Sequence, residues 1–260
     1  MVISGWGSEA FENSVVEKIT YLSDALKVKG YIAYPKDSSK KYPCVIWNRG
    51  GAGSRGAIDE FTARGIYGQI ASWGYCVFAS QYRGNAGGEG NEELGGKDVN
   101  DILNLIPLAD EIPLADKTKW GIEGWSRGGM MAYIALTKTE KFKCVVLVGA
   151  ISDLKQNITD NPNGLKSYKE YLGEENLEQK ITQRSAINFV DKLPHIPYLI
   201  LHGGSDDTVS PVQSKRIAKK FKELHINHKI VIFENGDHYL KNYRKEVDKL
   251  RKMWYEKYLK

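Results

Sequence analysis

Short apolar runs alternate along this chain with longer stretches in which apolar residues recur at helical spacing. The runs read as strands over residues 18–22, 29–34, 43–47, 75–80, 120–123, 144–148, 198–201 and 229–233. Helical spacing predicts helices over 58–72, 99–106, 130–139 and 211–224. The last of these has a marked start: Ser210-Pro211-Val212-Gln213 reads as a capping box with proline at the first helical position. Strands that alternate with helices in this way predict an α/β protein with a mostly parallel central sheet flanked by helices.

Two stretches depart from the alternation. Residues 152–192 are polar, rich in Asn, Gln, Lys and Glu, and carry no strand signal. They are too long for an ordinary connection and are expected to form a small helical insertion, a cap within a single domain of residues 1–260. Tyr168 and Tyr171 of this insertion either line a substrate pocket or pack the insertion onto the domain. The last twenty residues space Tyr243, Val247, Leu250, Trp254 and Tyr258 along one helical face, as a terminal helix docked on a domain would.

Composition narrows the picture. The net charge is +5, and residues 241–260 hold eight Lys or Arg against three Asp or Glu, so the excess belongs to the solvated face of that helix. Neither a nucleic-acid nor a membrane partner is expected. Cys44, Cys76 and Cys144 lie inside apolar runs without metal-binding spacing, which predicts buried free thiols in a reducing compartment. With no secretory pattern in the first residues and no long apolar span, a cytoplasmic protein is expected.

The candidate chemistry begins at Gly124-Trp125-Ser126-Arg127-Gly128-Gly129, between a strand and a helix. This reads as a nucleophile elbow, a tight turn whose flanking glycines let strand and helix approach while the serine hydroxyl is held out. A serine needs a base, and the base an acid to orient it. Strand 198–201 breaks into His202-Gly203-Gly204-Ser205-Asp206-Asp207, and strand 229–233 runs into Gly236-Asp237-His238. The order Ser, Asp, His is that of the α/β-hydrolase fold, whose three loops leave the same sheet edge.

With these motifs, with Tyr82-Arg83-Gly84 and with the early stretch 21–30, the chain resembles the catalytic domain of the prolyl oligopeptidase family of serine hydrolases over nearly its whole length. The resemblance implies Ser126 as nucleophile, Asp206 rather than Asp207 as the acid and His238 as general base. It implies an oxyanion hole from the Arg127 amide and the Gly51 amide. Where the family often places a histidine or tyrosine before its glycines, this chain has Arg49-Gly50-Gly51-Ala52. A tyrosine hydroxyl is therefore missing, and Arg49 is expected to brace the loop through a carboxylate in preference to a direct role on the oxyanion. His202 is expected to order the acid loop, and Trp125 either packs or touches substrate. Relatives that act on oligopeptides commonly carry a β-propeller, for which 260 residues leave no room. Substrate selection is therefore expected to fall to the insertion or to a partner subunit.

The expected activity is cleavage of an ester or short-peptide acyl bond through an acyl-enzyme, without metal or organic cofactor. A carboxylesterase without peptidase activity is the alternative. Two distant readings remain. Gly51-Ala52-Gly53-Ser54-Arg55-Gly56 has dinucleotide-loop spacing, with Arg83 able to meet the 2′-phosphate of NADP, and an inactive hydrolase fold could serve as a binding scaffold. His225 and His228 lack a third ligand and are expected to be solvated.

Overall fold

The computed structural model describes residues 9–161 and 164–260. A short helix α1 (Glu9–Glu12) leads into the hairpin β1 (Ser14–Ser23) and β2 (Leu26–Pro35). Asp24 and Ala25, at φ 50° and 66°, make its two-residue turn. The chain continues through β3 (Tyr42–Asn48), α2 (Glu60–Ser72), β4 (Cys76–Ser80), α3 (Val99–Leu103), α4 (Leu105–Leu108), β5 (Ala115–Trp125), α5 (Arg127–Leu136) and β6 (Phe142–Val148). Three helices follow before the next strand: α6 (Leu154–Asp160), α7 (Gly164–Leu172) and α8 (Leu177–Gln183). Last come β7 (Tyr198–Gly203), α9 (Pro211–Glu223), β8 (His228–Phe233) and α10 (Arg244–Leu259).

The described strands form one sheet in the order β1-β2-β4-β3-β5-β6-β7-β8. β1 and β2 pair antiparallel, β2 meets β4 antiparallel, and every later pairing is parallel. β3, β4 and β7 are buried at every position, which is why they read as continuous apolar runs and not as alternating ones. One core lies between the sheet and α3, α5 and α9, the other between the sheet and α2 and α10.

Four details depart from the sequence reading. β5 begins at Ala115, because a register shift beside Pro43 and Cys44 lets its start pair with Tyr42 and Pro43. The helix read over 99–106 breaks at Asn104, whose amide closes on Asn100 and whose side chain donates to Ser23. At α9 the Ser210 hydroxyl accepts from the Val212 amide, but Gln213 does not complete a capping box. Its carboxamide oxygen accepts instead from the amides of Ser152 and Asp153 at 2.9 and 3.0 Å, tying the start of the 152–192 segment to α9. Finally, α10 buries Arg251, Tyr255 and Leu259 beside Val247 and Trp254, a wider face than the apolar spacing suggests.

All three cysteines are buried and free, and burial pushes their thiols up, Cys76 to about 12. Among the described residues no helix is long and apolar enough to cross a membrane.

Candidate active site

Ser126 sits between β5 and α5 at φ 55° and ψ −122°, a backbone conformation that costs a non-glycine residue on the order of 1–3 kcal/mol. The turn is held by the Ser126 amide, which donates to Val148 at 2.9 Å, and by its carbonyl, which accepts from Gly129 and Ile151. Glycine is required on both sides of it. A β-carbon on Gly124 would collide with the Gly128 carbonyl, and one on Gly128 with the Asn48 carbonyl. The ten-residue α5 begins at Arg127, directly after the serine, so the positive end of its dipole lies at the turn.

Asp206 and His238 arrive from the loops after β7 and β8. His238 Nδ1 lies 2.7 Å from Asp206 Oδ2, while Oδ1 of the same carboxylate accepts from the amides of Thr208 and Val209, both at 2.9 Å. Burial by itself would raise the Asp206 pKa. Hydrogen bonds from His202 and His238 and from the Val209 amide outweigh it and hold this carboxyl well below the usual carboxylate range. Asp207 is exposed and its carboxylate accepts from Thr208.

His202 sits under the loop. Its Nε2 lies 2.8 Å from the Val209 carbonyl and 3.2 Å from Asp206 Oδ2, and its Nδ1 lies 2.6 Å from the Ser214 hydroxyl. Because a carbonyl can only accept, Nε2 carries a proton, and the Ser214 hydroxyl partners the other ring nitrogen.

The loop after β3 is folded around Arg49. The guanidinium donates to the carbonyls of Gln81, Gly50, Gly53 and Arg55 at 2.9–3.4 Å and stands 3.7 Å from Glu92. Arg49 therefore braces the loop mainly through backbone carbonyls, with the carboxylate in a lesser part. Glu92 is the second support. It accepts from the Gly53 amide at 2.7 Å and from the Arg127 side chain, which also reaches the Gly51 carbonyl at 2.5 Å and Asp98 at 3.4 Å. Arg49 and Arg127 both lie over the Tyr82 ring, 5.1 and 4.5 Å from its centroid. Gly50 passes so close to the elbow that a side chain would come within 3.1 Å of Ser126 Cβ and 3.7 Å of Ser126 Oγ.

Ser126, Gly50, Gly51, Trp125, Thr208 and His238 border one cavity of about 660 Å³. Tyr168 and Tyr171 lie elsewhere. Both pack against the core beneath α7, with Asn157 donating to the Tyr168 hydroxyl at 3.2 Å and the Tyr171 hydroxyl lying over Gly53. Arg83, on which a dinucleotide reading depends, is buried with Asp101 at 2.7 Å and reaches Asp24 at 2.8 Å. No group of metal-ligating side chains is found among the described residues, and His228 Nδ1 lies 2.9 Å from the Ile226 carbonyl.

The sequence reading did not pick out Glu92, Asp98 or Gly149. Glu92 and Asp98 lie just after the glycine-rich 84–90 loop, and two acids so close to a loop beside the elbow were the available signal. Gly149, at φ 53°, backs the Asp206–His238 pair and belongs to no motif.

Comparison with known proteins places the chain in a family. The profile of the prolyl oligopeptidase family matches residues 66–260. The chain is 33% identical over 210 residues to the uncharacterized peptidase YtmA of Bacillus subtilis, covering 80% of this chain and 79% of that one. Among solved structures it superposes on the acylaminoacyl peptidase of Pyrococcus horikoshii with a TM-score of 0.83 at 25% identity. That match covers 97% of this chain but 43% of the larger peptidase. The Pyrococcus furiosus esterase PF2001, at 17% identity and a TM-score of 0.75, shares the fold over 100% of this chain and 96% of its own.

Proposed function

The chain belongs to the prolyl oligopeptidase family and is a serine hydrolase, and from that premise we propose that it cleaves ester or short-peptide acyl bonds through an acyl-enzyme formed on Ser126. The observation that carries this reading is the 2.7 Å contact between Asp206 and His238 at the border of the cavity that Ser126 also lines. In the acylation step His238 takes the Ser126 proton as Oγ bonds to the substrate carbonyl carbon. It then passes that proton to the departing oxygen or nitrogen as the old acyl bond breaks. Asp206, held ionised by its hydrogen bonds, keeps the Nδ1 proton of His238 on its own side and stabilises the imidazolium that forms. Water repeats the sequence to release the acid.

Negative charge on the carbonyl oxygen is met by the Arg127 amide at the start of α5 and by the Gly51 amide from the loop braced by Arg49. No organic cofactor or metal is needed for these steps. Arg49, which stands where some family members place a tyrosine, has its guanidinium turned to loop carbonyls and brings no hydroxyl to the site, which supports an esterase as the second reading.

A fluorophosphonate probe should label the wild-type protein and leave Ser126→Ala unlabelled; equal labelling of the two would sink the assignment. His238→Ala should lower turnover of p-nitrophenyl acetate by about 10⁴-fold or more. Rates on p-nitrophenyl esters beside aminoacyl and prolyl amides separate the peptidase from the esterase.

A further inference from the structure

We propose that the cavity at Ser126 is the leaving-group site, and that it selects substrates whose departing alcohol or amine carries a bulky apolar group, an aromatic ring above all. This assignment rests on the serine hydrolase reading given above. The cavity starts at Gly50, Ser126 and His238 and extends between α2, which contributes Thr62, Ile66 and Gln69, and α10, which contributes Val247 together with the charged Arg244, Asp248 and Arg251. Arg55 and Lys241 add two further cations to a lining whose apolar part is Trp47, Ile58, Ile66, Trp125, Leu240 and Val247. No described residue of the 152–192 segment lines it. Its volume of about 660 Å³ falls within the ordinary range for small-molecule sites.

Two features show that the space is built and not left over. Trp47 and Trp125 line it, and their indole N–H groups both donate to Glu123 Oε1, at 2.9 and 2.5 Å. The other carboxylate oxygen of Glu123 accepts from the Tyr255 hydroxyl at 2.5 Å and from Arg251 at 3.0 and 3.1 Å. Each tryptophan thus has its polar edge satisfied below the cavity and offers hydrocarbon surface to whatever enters it. Protein interiors are otherwise close-packed, so rings pinned around an open space of this size hold it ready for an occupant.

The position of His238 decides which part of the substrate enters. In the tetrahedral intermediate the departing atom must face the proton on His238, and the acyl substituent points away from it. The cavity wall contains His238 and the residues directly after it, Tyr239 and Leu240. A group that enters here from the reacting carbon lies on the His238 side. It therefore departs with the alcohol or amine when the C–O or C–N bond breaks and takes the proton.

The test uses acetate esters of methanol, benzyl alcohol and 2-naphthylmethanol, with a mirror series of methyl esters whose acyl group grows from acetyl to naphthylacetyl. Rates are normalised to hydroxide-catalysed hydrolysis and to active sites counted with a fluorophosphonate. The naphthylmethyl over methyl ratio of kcat/KM should be about tenfold or more in the alcohol series and flat in the acyl series. Ile66→Trp and Thr62→Trp, half-buried positions on α2, should each fill the cavity and reduce that ratio by about tenfold. An unchanged ratio in both variants, with Ser126 still labelled, overturns the leaving-group assignment alone, and so does a size preference confined to the acyl series. Loss of labelling at Ser126 in the wild type would overturn the hydrolase reading itself.

Discussion

A β-carbon on Gly149 would lie 3.3 Å from His238 Nδ1 and 3.4 Å from Asp206 Oδ2, and the residue already holds φ 53°. Gly149→Ala therefore adds backbone strain and presses on the Asp206–His238 pair, which under the proposed function must align for proton transfer. A displacement of this kind should lower kcat/KM on p-nitrophenyl acetate by about 10²-fold at constant active-site titre, and undiminished turnover would refute it. Asp206 has a second consequence. Its folded pKa is lowered from the ordinary 3.8, so its stabilising contribution is complete above that value and is lost as pH falls through the folded pKa. Asp206→Asn should flatten the acid limb of the stability curve below about pH 4, measured by urea denaturation in pH steps; an acid limb as steep as that of the wild type would refute it. These two residues differ in legibility. Asp206 stood in a strand-end motif, although the pairing of Asp206 with Asp207 left the choice between them to the family pattern. Gly149 could not be read at all, because its constraint comes from two loops that arrive from 57 and 89 residues later in the chain.

Among the elements, the strands were legible because parallel strands buried on both faces must be apolar throughout. The polar ties between elements were not, since each joins residues that share no local pattern. Gln213 looked like a helix cap and is a tether to Ser152 and Asp153. Glu92 stands in a loop and supports the chain on both sides of the elbow, through Gly53 and Arg127. Its removal tests whether this support shapes the oxyanion site. Glu92→Gln keeps an acceptor but leaves the guanidinium groups of Arg49 and Arg127 with Asp98 as their remaining carboxylate in the cluster. We expect kcat to fall about tenfold to a hundredfold on activated esters while KM stays within about twofold, because under the proposed function the loop acts on charge that exists only in the transition state. A change in KM alone would mean that Glu92 serves substrate binding and not the oxyanion loop.

For the molecule as a whole, the sheet separates two cores, with α5 packed into one and α10 into the other. Charge counting assigned Arg251 to the solvated basic face of the last helix, yet it is 4% exposed and paired with Glu123, which is 0% exposed in the strand that leads to Ser126. A helix near the end of the chain is thereby locked to the sheet centre beneath the proposed nucleophile, and the same carboxylate orients Trp47 and Trp125. Arg251→Met should remove about 3–5 kcal/mol of stability, because it leaves the buried Glu123 carboxyl without its cation partner. For a chain of this size that corresponds to a fall in Tm on the order of 10 °C. Arg251→Lys should recover only part of the loss, since an ammonium cannot reproduce the forked contact with Glu123. Thermal and urea unfolding of the three proteins measure the series. A loss below about 1 kcal/mol in Arg251→Met would show that the pair is no more than a surface ion pair in strength, and that α10 is held to the sheet by its apolar face alone.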